Sequence, residues 1–241
     1  MSPHFVLAHG FTQTARSWDN MGELLADHMP AATYASVDMP GHGEAAELRG
    51  DLWDAAEHLV ESGGSGIFVG YSMGGRVALH AAIARPDSVD RLVLIGATAG
   101  IDSERDRAAR RDSDDQIAQR IERDGVPSFV DWWLQNPLFA GLDEASAQRH
   151  DRCRNTVDGL ASSLRSCGTG TQEPLWDRLP EVNIPTLLLA GEHDAKFCAL
   201  GERMASSFAN ASMEIVADAG HSVHLEQPEA TADAVVNWLR R

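Results

Sequence analysis

GIFVGYSMGGRVALHAAIA (66–84) joins two opposite patterns with no linker between them. Residues 66–71 are an apolar run bounded by glycine, which reads as a buried strand. From Met73 onward the apolar residues recur at helical spacing, and the helix is expected to stop near Pro86. A strand that becomes a helix within a residue or two needs glycine at the bend, because side chains there would collide. GYSMG (70–74) places glycine on both sides of Ser72. The pentapeptide fits G-x-S-x-G, a pattern that holds a serine out above the edge of a sheet. Three fixed positions alone are weak; the strand before and the helix after give the match its weight.

Outward from this stretch, strand-like and helix-like segments alternate. HFVLAH (4–9), ATYASVDM (32–39) and DRLVLIGAT (90–98) read as strands, and SWDNMGELLADHM (17–29) and DLWDAAEHLVESG (51–63) as helices. Such alternation predicts a mostly parallel sheet flanked by helices, an α/β fold. The pattern breaks between residues 100 and 180, where charged helical stretches replace strands, and resumes at IPTLLLAGEHD (184–194), KFCALGERMASSFA (196–209) and SMEIVADAG (212–220). A last helix is expected from about His224 to the C-terminus. The expected organisation is a core of residues 1–99 and 181–241 with a helical cap at 100–180.

The 241 residues suffice for a sizeable core. A net charge of −16 argues against nucleic acid, whose binders carry a basic patch, and against an anionic membrane surface. No apolar run approaches the length of a membrane span, and Phe5 to Ala8 is too short for a signal-peptide core. Cys153, Cys167 and Cys198 are scattered, without CxxC or metal-ligand spacing, and read as free thiols of a cytoplasmic protein. HExxH, cysteine–histidine clusters and an early glycine-rich phosphate loop are missing, so neither a metal nor an organic cofactor is expected. Lys196 is the only lysine.

A serine nucleophile or base needs a histidine, and the histidine needs an orienting acid. His221 follows the strand in SMEIVADAG and Asp194 follows the strand in TLLLAGEH, both at the sheet edge that carries Ser72. Glu192 is the rival acid; Asp194 is preferred as deeper in the loop and shorter. His224 reads as a helix-start residue and His42, in DMPGHG (38–43), as structural. The backbone amides of Met73 and of Phe11, in the loop HGFTQT, are the candidate oxyanion hole. Arg76 lies one turn beyond Ser72 on a packed helix, where an unpaired buried charge would be costly. Either a protein carboxylate or a ligand carboxylate must meet it.

Together these residues resemble the α/β-hydrolase superfamily over essentially the whole chain, in the order Ser, Asp, His. The sequence opens directly on the strand before HGF, so the N-terminal hairpin of many members is not expected. Ser72 excludes the chemistries that use an aspartate nucleophile at this position. HGF, DMPGHG, GYSMGGRVAL, RAARRDSD, FVDWWLQNPLF, GEHDAKF and AGHSVHLEQP more narrowly resemble the MenH family, the 2-succinyl-6-hydroxy-2,4-cyclohexadiene-1-carboxylate synthases. The cap segment DRCRNTVDGLASSL matches only loosely. That resemblance implies a lyase of menaquinone biosynthesis acting on a small substrate with several carboxylates, from which pyruvate is eliminated; a monomer is expected. It implies Ser72, activated by His221 and Asp194, as the base, and Arg76, Arg110 and Arg154 as carboxylate clamps. Tyr71, Trp132 or its neighbour Trp133, and Lys196 are implied to line the pocket. Arginine suits this because its planar fork meets a carboxylate with two hydrogen bonds.

Two other readings stay open. A serine hydrolase of esters or carbon–carbon bonds would use the same triad, with an apolar cap and no arginine cluster. A ligand receptor on the same scaffold would keep the triad for slow turnover. From the residues alone, Arg110 belongs to a charged run, the usual mark of a solvated helix face, and the two tryptophans fit a cap core.

Overall fold

Along the central strands alternate residues point to opposite faces, and both sets are apolar. In the computed structural model, which describes residues 2–241, one parallel sheet is built from β1 (His4–Ala8), β2 (Thr33–Val37), β3 (Gly66–Tyr71), β4 (Val89–Ile95), β5 (Thr186–Gly191) and β6 (Ala211–Val216). The spatial order is β2-β1-β3-β4-β5-β6. The helices are α1 (Asp19–His28), α2 (Leu52–Gly63), α3 (Met73–Ala84), α4 (Glu104–Trp133), α5 (Arg149–Arg152), α6 (Val157–Cys167), α7 (Ala195–Ser207), α8 (Val223–Glu226) and α9 (Pro228–Leu239). Phe5, Leu7, Val69, Val93 and Leu189 pack with α1 and α9 on one face. Val6, Ala8, Phe68, Leu92 and Leu188 pack with α2, α3 and α7 on the other.

The chain crosses from β2 over β1 to β3, so the loops after β1 and β3 part at the C-terminal edge of the sheet. Open α/β sheets bind their ligands in the crevice that this reversal leaves. The loops carrying Phe11 and Ser72 flank it.

No strand lies between β4 and β5 among the described residues. Instead Ala118, Ile121, Phe129 and Val130 of α4 bury against Leu160, Ala161 and Leu164 of α6, a core separate from the two that cover the sheet. Within α4 the backbone leaves helical geometry at Gly125 (φ 74°, ψ 163°), and Pro127 follows two residues later. The helix therefore kinks there, and its last turns point in a new direction.

The C-terminal segment differs from the single helix expected from about His224. α8 ends at Glu226, and α9 starts with Pro228 as its first residue. Proline disfavours helical geometry in the residue before it, and Gln227 accordingly sits at φ −137°, ψ 65°. Among the described residues, no helix is long and apolar enough to cross a membrane.

Candidate active site

Ser72 stands between β3 and α3 at φ 51°, ψ −106°, a left-handed conformation that non-glycine residues seldom adopt. Such strain costs about 1–3 kcal/mol and persists only where the surroundings enforce it. Here they do. The Ser72 amide donates to Ile95 O (2.8 Å), and the Ser72 carbonyl accepts from the Arg76 amide (3.1 Å). Gly74 makes the bend possible, since a Cβ on it would lie 2.1 Å from the carbonyl oxygen of Ala8.

The loops after β5 and β6 bring two more groups to this serine. His221 Nδ1–H donates to Asp194 Oδ2 at 2.7 Å, and its Nε2 lies 3.3 Å from Ser72 Oγ. With Nδ1 carrying the proton, Nε2 is left to accept from the hydroxyl. Asp194 caps α7, its Oδ1 accepting from the Phe197 amide (3.2 Å), so the helix N-terminus also favours its negative charge. The His221 ring is wedged between Phe197 and Tyr71. Glu226 holds the loop around it by accepting from the Gly220 (2.6 Å) and Ser222 (2.9 Å) amides. Glu192, the rival acid, instead accepts from the Asp218 amide.

The loop after β1 approaches from the other side. Its Gly10 amide donates to Gln13 Oε1, its Thr12 amide to His42 Nε2 and its Gln13 amide to Gly10 O. Burial pushes His42 down to about 3 and also lowers His9, so both rings are neutral and can accept backbone hydrogen bonds. Among the described residues the amides of Phe11 and Met73 have no acceptor. Both residues line a chamber of about 150 Å³ that also holds Ser72 and His221.

Arg76 opens into the same chamber. It is buried, and among the described residues its side chain makes one hydrogen bond, to Gln172 Oε1 at 3.5 Å. No carboxylate lies within ion-pair distance among the described residues. Burial pushes its guanidinium down to about 10, which leaves it a cation at neutral pH. Arg110, Trp133, Phe197 and Lys196 also line the chamber. Arg110 is tied to Asp114 (2.8 Å), whose carboxylate is buried, so this part of the charged run faces inward.

Residues 5–234 match the family model described as alpha/beta hydrolase family. A 2-succinyl-6-hydroxy-2,4-cyclohexadiene-1-carboxylate synthase of Citrobacter koseri is 33% identical over 99% of this chain and 94% of its own. A Bacillus subtilis protein, provisionally given the same name, is 36% identical over 97% of this chain and 89% of its own. The structure of MenH from S. aureus superposes with a TM-score of 0.89 at 29% identity, covering all of this chain and 94% of that one. The chain belongs to the MenH family of α/β-hydrolases.

Not every residue that the MenH resemblance implied reaches the chamber. Trp133 lines it and stands edge-on to Phe11, whereas Trp132 turns away, its ring under the Arg120 guanidinium. Arg154 lies on a different cleft with Arg16, Asp38 and Glu44. In DRCRN it is Arg152 that is buried, donating to Ala147 O and to Thr12 Oγ1 in the loop after β1. Tyr71 is buried behind the serine, its hydroxyl bonded to Ser222 Oγ (2.8 Å), so it supports the His221 loop rather than the chamber. His224 is the second residue of α8, a helix-start residue as expected, and is buried between Trp18 and Tyr71. Gln172, which Arg76 reaches at 3.5 Å, carries no signal in the sequence that marks it for the site, and Phe197, the wall of His221, lies in the GEHDAKF segment but is not among the residues expected in the site.

Proposed function

We propose that this chain eliminates pyruvate from a succinyl-enolpyruvyl-hydroxycyclohexene carboxylate, giving 2-succinyl-6-hydroxy-2,4-cyclohexadiene-1-carboxylate in the menaquinone pathway of the cytoplasm. The observation that carries this reading is Arg76, a buried cation one turn from Ser72 with no carboxylate within ion-pair distance among the described residues. A buried charge is costly unless paired. A substrate carboxylate completes this one and is thereby fixed next to the base. A neutral ester has nothing to offer it, which is why we prefer elimination to ester or carbon–carbon hydrolysis by the same triad.

In this reading Ser72 Oγ removes the proton next to the succinyl ketone while His221 takes the serine proton and Asp194 stabilises the imidazolium. The amides of Phe11 and Met73 meet the enolate oxygen as its charge develops. As the enolate collapses, the carbon–oxygen bond to the enolpyruvyl group breaks. The departing pyruvate enolate takes a proton and leaves as pyruvate. Arg110 and Lys196 hold further carboxylates, residues 100–180 act as the cap, and the chain's own residues suffice without metal or organic cofactor.

Arg76→Ala separates the two readings. Truncating one partner of a buried charged pair typically costs about 2–5 kcal/mol, roughly a 30- to several-thousand-fold loss in kcat/KM. We expect a loss of that size on the carboxylated cyclohexene and little change on a neutral p-nitrophenyl ester. Equal losses on both would make Arg76 a structural residue and leave hydrolysis as the better reading.

A further inference from the structure

The Phe11 amide is aimed by a turn that its own residues resist. Gly10 O accepts from the Gln13 amide (3.1 Å) and from His9 Nδ1–H (2.9 Å). The carbonyl and the N–H of a trans peptide point in opposite directions. With Gly10 O held on one side, the Phe11 N–H is turned to the other. The turn closes through Thr12, which is fully buried and sits at φ 71°. A left-handed residue at the third position of such a turn is the place for glycine or asparagine. A β-branched side chain there is an outlier, and it persists only where the surroundings enforce it.

All three polar groups of Thr12 are held. Its amide donates to His42 Nε2 (3.3 Å), its carbonyl accepts from Asn155 Nδ2 (2.7 Å), and its Oγ1 accepts from Arg152 Nη1. Two of these three partners come from the segment 151–155, at the end of α5 and just beyond it. Asp151 adds a third tie between that segment and the loop, its Oδ2 accepting from Thr14 Oγ1. Asn155 is buried and is used at both ends of its amide. Its Nδ2 also donates to Arg152 O (3.0 Å), and its Oδ1 accepts from the Gly43 amide (3.0 Å) in the loop after β2. One side chain thus stitches together the loop after β1, the loop after β2 and the segment 151–155. Asn155 does not line the chamber of Ser72.

Resting on the reading of the Phe11 amide as an oxyanion donor, we propose that Asn155 is a positioning residue for the oxyanion hole, assisted by Arg152. The segment 151–155 holds Thr12 in its strained turn, and the turn holds the Gly10–Phe11 peptide with its N–H toward the developing charge. Released from Asn155, Thr12 relaxes toward negative φ and the donor turns away. Asn155 acts through Thr12 and touches no substrate, so its effect falls on kcat and not on KM.

Two Thr12 variants and one rescue test this. Thr12→Val and Thr12→Gly both delete the hydroxyl, but only valine keeps the branching that the turn resists. We expect kcat to be at least about tenfold lower in Thr12→Val than in Thr12→Gly, with KM alike in the two. Asn155→Asp keeps the contact to Gly43 and sets an acceptor against Thr12 O. It should lower kcat about 10- to 100-fold, less than the roughly 100- to 1,000-fold of an oxyanion donor removed outright. Adding Thr12→Gly to Asn155→Asp should restore most of that loss, which no glycine would do for a merely structural asparagine. Equal kcat in the two Thr12 variants would overturn the proposal, whether or not Asn155→Asp folds. So would an Asn155→Asp loss carried by KM, or one that Thr12→Gly does not relieve. Each variant is assayed on the carboxylated cyclohexene and on a neutral p-nitrophenyl ester, because the hole serves either reaction. If the native protein releases no pyruvate, yet ester hydrolysis shows the same losses and the same rescue, the lyase reading falls and the role of Asn155 stands.

Discussion

Removing the Ser72 hydroxyl leaves the elbow in place, because the bend is enforced by Ile95 O, the Arg76 amide and Gly74 and not by Oγ. Ser72→Ala is therefore expected to fold normally, with an unchanged circular dichroism spectrum, and to lose at least about a thousandfold in turnover. His221→Ala should lose about as much, since such groups act as a unit; a variant of either residue that kept most of its activity would remove the triad from the mechanism. These residues are legible in the sequence because each follows a recognisable strand, and strand ends of a parallel sheet share one edge. The cap residues are not, because a helix turns about 100° per residue. That rotation separates Trp133, facing Phe11, from Trp132, facing Arg120. The kink at Gly125 resets the phase ahead of both tryptophans. Arg152 ends α5 and Arg154 lies beyond it, one turned to Thr12 and the other to an outer cleft.

At the scale of elements, two glycines with different reasons give different expectations. A Cβ at Gly74 would meet backbone atoms of Ala8 and His9 at 2.1–2.6 Å, and neither strand nor loop can withdraw. Gly74→Ala should destabilise by several kcal/mol or prevent folding, read by urea denaturation. At Gly125 nothing lies within 4 Å, so only the backbone conformation resists a side chain. Gly125→Ala should cost about 1–3 kcal/mol and loosen α4 and α6 alone, visible as faster hydrogen exchange there with the sheet unaffected. An unchanged exchange rate in α4 would show that the kink carries no strain. The elements themselves were readable because period and punctuation agree: apolar runs for buried strands, the glycine that ends α2, Pro86 after α3. The break before Pro228 was in the sequence too, but the continuous apolar spacing of residues 223–239 masks it.

For the whole molecule, acidity acts on the core as well as on the site. Burial holds His42 and His224 at about 3 and His80 at about 4, against 6.5 for the free side chain. The unfolded chain therefore takes up protons that the folded one refuses, so stability is complete above about pH 6.5 and is lost as pH falls toward those values. At pH 5 each such histidine costs about 2 kcal/mol. Urea midpoints measured at about pH 7.5 and about pH 5 should differ strongly, and His80→Asn should narrow the difference; equal midpoints would mean that these rings are protonated in the folded state. In a chain of net charge −16, attraction of an anionic substrate falls to the arginines and Lys196 locally. The most direct test of the account follows both products of the native enzyme at once, pyruvate by a coupled assay and the conjugated cyclohexadiene by its ultraviolet absorbance. We expect one pyruvate for each diene, no metal requirement in the presence of chelator, and the loss of both signals in Ser72→Ala. Release of neither product, beside brisk hydrolysis of a p-nitrophenyl ester, would contradict the account.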